Sequence, residues 1–134
     1  MPERMWKLTD FKFEELCVYQ KSISLAGEIY LVTKKYPRDE MFGLTSQLRR
    51  AAVSISLNIA EGSARTKKDF SRFVDVSRGS VFECLAILQI SHRQGYISET
   101  ALRQLKNYLV EISKMLSGLK RSLTTGKRTA NSQQ

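Results

Sequence analysis

The sequence predicts an all-α fold, an antiparallel up-down-up-down four-helix bundle, and three observations carry that expectation. Apolar residues recur at three- and four-residue steps in four separate stretches. Only two prolines and seven glycines punctuate 134 residues, too few for the turns of an all-β chain. The connectors are short against helices of about 18–25 residues, or about 27–38 Å, which turns each helix back along its predecessor. The expected organisation is one helical domain over residues 1–123, with helices at about 11–35, 44–61, 67–92 and 98–123. A polar, basic tail over 124–134 has nothing to bury and is expected to be disordered.

The first helix places Phe13, Leu16, Cys17, Ile23, Ala26, Tyr30 and Thr33 on one face, with Asp10 as N-cap. Glu14 and Glu15 suit the positive end of its dipole. Tyr36-Pro37 ends it, because the residue before a proline avoids helical geometry. The second helix carries Leu44, Leu48, Ala51, Ile55 and Ile59 inward, and Gly62 suits a left-handed C-terminal cap. Thr66-Lys67-Lys68-Asp69 resembles a capping box opening the third helix, whose core row is Phe70, Phe73, Val74, Ser77, Val81, Cys84, Leu85 and Leu88. Gly95-Tyr96-Ile97 makes the next turn. Ser98 caps a fourth helix built on Leu102, Leu105, Leu109, Ile112, Leu116, Leu119 and Leu123.

Apolar residues also fall off these faces: Val18, Leu25, Ile29 and Val32 on helix one, Val53, Leu57 and Ala60 on helix two, and Val76, Phe82, Ile87 and Ile90 on helix three. Such residues predict an oligomer interface with further copies of the chain, assigned to Val18, Leu25, Ile29, Val32, Val53 and Leu57. Gly79-Ser80 in mid-helix predicts a close backbone approach there, since glycine costs about 1 kcal/mol relative to alanine. Along helix two, Gln47, Arg50, Ser54, Asn58 and Glu61 form a polar seam beside the core row. Glu61, at the negative end of the helix dipole, calls for a cation, with Arg65 or Arg78 in reach.

Charge is the strongest compositional signal. The net value is +9, with nine basic and eight acidic residues over 1–62 and thirteen and five over 63–134. That asymmetry fits an anionic partner, RNA ahead of DNA. The contacts are assigned to Arg65, Lys67, Lys68 and Arg72 around the third helix's N-terminus, and to Lys120, Arg121, Lys127 and Arg128. Both groups are expected at one pole of the bundle. One histidine, His92, and two cysteines, Cys17 and Cys84, read as buried apolar residues, supply neither a zinc set nor a His-based triad. No catalytic residue, metal or cofactor is assigned. No run of 18 apolar residues exists, and Met1–Arg4 open no signal peptide, so a cytoplasmic protein is expected.

"QLRRAAVSISLNIAEGSAR" (47–65) and "FVDVSRGSVFE" (73–83), with "FEELCVYQKSISLAGEIYLVTKKYP" (13–37) and "QGYIS" (94–98), resemble the bacterial ribosomal RNA intervening-sequence proteins. The similarity spans about residues 10–123. It implies an antiparallel four-helix protomer closing into a homopentamer, which would raise the charge to about +45 per assembly. A more distant relative is the accessory protein of diversity-generating retroelements, a basic pentamer that partners a reverse transcriptase and binds RNA. The resemblance thus implies a non-enzymatic RNA-associated or scaffold protein, with a protein-binding adaptor as the alternative.

Overall fold

A computed structural model of the chain describes residues 11–133, with side chains up to Thr124. Four helices make it up: α1 (Cys17–Thr33), α2 (Leu44–Ser63), α3 (Lys67–Arg93) and α4 (Glu99–Gln133). Single 3-10 turns at Lys12–Glu15 and Arg38–Glu40 precede α1 and α2. No strand occurs among the described residues. Each helix packs on two others, α1 on α2 and α4, and α3 on α2 and α4.

The expected first helix is divided. Leu16 is extended, with φ −72° and ψ 125°, and separates the short turn from α1. The turn is held by the Gln20 side-chain amide donating to the Glu14 carbonyl at 2.8 Å, and by Phe13 packing edge-on to Tyr19 with centroids 4.8 Å apart. The proposed cap Asp10 lies outside the described residues. At the other end, α4 continues ten residues past the expected stop at 123. Gly126, Asn131 and several Ser and Thr residues in that stretch are weak helix formers, but no proline interrupts it. Side chains of the tail, including Lys127 and Arg128, lie outside the described residues.

The core is one cluster. Leu48, Ile55 and Ile59 of α2 meet Val74, Cys84 and Leu88 of α3 and Leu109, Ile112 and Leu116 of α4, all fully buried or nearly so. On α1 the buried face differs from the expected one. Leu25 and Ile29 are fully buried and Val18 nearly so, while Ile23 is 47% exposed, Tyr30 42% exposed, and Cys17 exposed. Three residues assigned to the oligomer interface, Val18, Leu25 and Ile29, are therefore protomer core. Val32 is half-buried against the same core.

The reason lies in two hydroxyls. The buried row is Val18, Ser22, Leu25, Ile29 and Thr33, at steps of four, three, four and four. Ser22 donates to the Tyr19 carbonyl at 2.7 Å and Thr33 to the Ile29 carbonyl at 2.7 Å, so both are satisfied within their own helix and enter the core without an unpaired group. Ser77 does the same across helices, donating to the Ile55 carbonyl at 2.9 Å. Ile87 on α3, expected off the core face, is also buried.

The glycines exchange roles. Gly62 is helical and buried, not a left-handed cap. A Cβ there would stand 2.6 Å from the Phe73 Cβ and 2.8 Å from the Phe70 ring, so α2 and α3 approach closely at Gly62. Gly79 has nothing of its own chain within 4 Å of a built Cβ, so the close approach expected there is not one between helices of a single copy. The left-handed residue is Gly95, at φ +81°, closing α3 as the Tyr96 amide donates to the Ser91 carbonyl at 2.9 Å.

Candidate nucleic-acid interface

The start of α3 gathers the first group of assigned cations. Thr66 accepts from the Asp69 amide at 3.2 Å and so fixes the first turn. Asp69 is then in place to accept from Arg72 at 2.6 Å, and that hydrogen bond holds its carboxyl below the usual range. Arg65 bonds Glu61 at 3.3 Å and lies over the Phe73 ring, 5.1 Å from its centroid. Arg65 is thus the cation that Glu61 calls for; Arg78 bonds Asp75 instead, at 3.2 Å. Lys67 and Lys68 are exposed and make no ion pair among the described residues.

The second group meets α3 one turn beyond Arg72. Lys120 of α4 reaches both carboxylate oxygens of Asp75 at 2.7 and 2.6 Å, and this pair is the larger cause of the depressed Asp75 carboxyl. Asp75 is eight residues into α3, so Lys120 lies about 12 Å along the helix from Lys67. Arg78, Lys120 and Arg121 border one depression with Ser117 and Thr124. Lys120 thus meets the first third of α3, toward the end that carries Lys67 and Lys68, while Lys127 and Arg128 lie outside the described residues.

The same α3–α4 seam continues into a groove of about 250 Å³ that the spacing of charges in the sequence did not reveal. Val81, Leu85 and Leu109 line it, Phe82 and Val110 stand exposed on it at 69% and 41%, and Lys106 and Lys114 border it. Neither lysine makes an ion pair among the described residues. A sequence signal for this face exists: Lys106, Val110, Lys114 and Arg121 follow at steps of four, four and seven along α4.

The polar line on α2 is a surface feature of the protomer. Gln47, Arg50 and Glu61 are exposed, and Ser54 and Asn58 half-buried. The Asn58 amide donates to the Ser54 carbonyl at 2.8 Å and hydroxyl at 3.0 Å, and the Ser80 hydroxyl donates to that of Ser54 at 2.9 Å. The α2–α3 border is matched there without burying the charged members. Arg50, Val53 and Leu57, the last 60% exposed, line a second groove with Tyr30 and Arg49. Arg49 lies 4.5 Å from the Tyr30 ring centroid and donates to Thr33 at 2.9 Å.

No group of His, Cys, Asp and Glu that could hold a metal occurs among the described residues, and no described helix is long and apolar enough to cross a membrane. Burial pushes the Cys84 thiol up to about 12, so it is an inert apolar filler.

A family model described as 23S rRNA-intervening sequence protein matches residues 14–118. A solved structure, of a protein of unknown function from the S23 ribosomal protein family of Bacteroides thetaiotaomicron, is similar at a TM-score of 0.71 and 24% identity. The similarity covers 78% of this chain and 95% of that one, and bears on the fold alone. No curated protein matches the chain.

Proposed function

The chain belongs to the 23S rRNA-intervening sequence protein family, and on that premise we propose that it is a non-enzymatic, oligomeric RNA-associated protein of the cytoplasm. The observation that carries the reading is charge left over after pairing. In residues 63–134, thirteen basic residues face five acidic ones. Asp69, Asp75, Glu99 and Glu111 are each already engaged by a cation of the protein itself. The excess therefore remains for phosphates, which it attracts without reading bases.

An up-down-up-down order suits this reading. Arg49 meets Thr33 where α1 ends and α2 begins, and Lys120 near the far end of the described α4 meets Asp75 near the start of α3. A homopentamer is the proposed assembly, on the resemblance to the family and on exposed apolar residues such as Ile23, Leu57, Val76 and Ile90. Fivefold closure would multiply the +9 of each copy.

Affinity capture from the native host, with and without nuclease, tests the proposal. RNA should copurify, and nuclease should release whatever else is bound. Partners that stay after nuclease, with no RNA recovered, would replace the reading with that of a protein-binding adaptor.

A further inference from the structure

We infer that the α3–α4 groove is a stacking site for single-stranded nucleic acid, one base lying on the Phe82 ring and neighbouring phosphates on Lys106 and Lys114. The inference rests on the RNA-associated reading above and gives that reading a place on the molecule.

Phe82 is 69% exposed, and single exposed apolar residues need no explanation. Its setting does. It stands on an apolar groove whose described charged lining is two lysines, Lys106 and Lys114, each one helical turn from Val110. Eight residues of α4 separate them, about 12 Å, the span of about three to four stacked nucleotides at 3.4 Å each. An exposed aromatic sharing a groove with cations at that spacing is the arrangement that binds single strands without sequence preference, through stacking and phosphate contact together. A duplex keeps its bases paired and offers the ring no face.

The track does not stop at the groove. Ser117, Lys120 and Arg121 continue along α4 on the same seam, with Arg78 opposite them on α3. Asp75 is the carboxylate that Lys120 and Arg78 bond there. The lysines that border the groove suit a polyanion.

The test is fluorescence anisotropy on the full chain with a labelled oligouridylate of about 20 nucleotides and, in parallel, a labelled RNA duplex. Phe82→Ala should weaken oligouridylate binding roughly 5- to 150-fold, the range for one stacked base. It should leave the duplex within about twofold, and Phe82→Trp should restore the loss. Paired Lys106→Gln and Lys114→Gln should weaken both ligands and flatten the salt dependence. Equal oligouridylate affinity for the wild type, Phe82→Ala and Phe82→Trp would overturn the inference while leaving RNA association standing. So would a change of oligomeric state in Phe82→Ala, which would mean that another copy covers the groove. An absence of binding to either RNA by the wild type would instead remove the reading on which the inference rests.

Discussion

Asp75 shows how one carboxylate sets the character of a basic surface. It accepts from Lys120 and from Arg78, and the Lys120 hydrogen bond is the main reason its carboxyl titrates low. A depressed folded value means that the stabilisation is fully present above the ordinary carboxylate pKa of about 3.9 and is lost as pH falls through the lower folded value. Asp75→Asn should therefore cost a little stability near neutrality, small because the pairs are half-exposed, and none below the folded value, which flattens the acid limb of a stability-versus-pH curve measured by thermal melts. The same substitution frees Lys120 and Arg78, so RNA affinity at low salt should rise. An unchanged acid limb and unchanged RNA affinity would show that Asp75 is a bystander.

Leu25 and Leu57 test the fold of one copy and the proposed assembly separately. Leu25 is fully buried, and Leu25→Ala should cost about 2–5 kcal/mol in denaturant unfolding. Leu57 is 60% exposed, and Leu57→Ala should leave the unfolding of the protomer within about 0.5 kcal/mol. If association buries Leu57, that variant should instead weaken the oligomer in sedimentation velocity.

At the scale of the helix, glycine gives the sharpest contrast. Gly79→Ala fills open space and should stabilise α3 by up to about 1 kcal/mol. Gly62→Ala carries the same propensity gain, but its methyl would press on the Phe73 Cβ, an atom fixed to the backbone of α3. A net loss of about 1–3 kcal/mol is expected, because overpacking a tight helix contact outweighs propensity. Thermal melts of the two variants should move in opposite directions.

Those glycines also show what the sequence could and could not disclose. The core rows of α2 and α4 were legible because Leu and Ile mark them almost without interruption. The Thr66 and Ser98 caps were legible because capping is local chemistry, and both hydroxyls accept the amides expected of them. The inward face of α1 was not, because Ser22 interrupts its apolar row, and a count of apolar residues favours the side bearing Ile23 and Tyr30. Gly62 and Gly79 could not be told apart either, since close approach depends on which residue of the neighbouring helix stands opposite. For the candidate interface, the sequence pointed to Arg65, Lys67, Lys68 and Arg72 by their clustering. It passed over Lys106 and Lys114, whose relation to Phe82 exists only once α3 and α4 lie side by side.

The whole molecule combines an excess of positive charge with apolar surface left outside the core. Self-association should make the sedimentation coefficient and the melting temperature rise with protein concentration. A chain that stays monomeric at high concentration would remove the ring and its shared field, though not the charge of each copy. The most direct measurement of the central claim is RNA affinity of the full chain across salt. Between about 50 and 200 mM, the logarithm of the association constant should fall linearly and steeply with the logarithm of salt concentration, as phosphate contacts release counterions. Affinity that does not change over that range, or no binding at its low end, would contradict it.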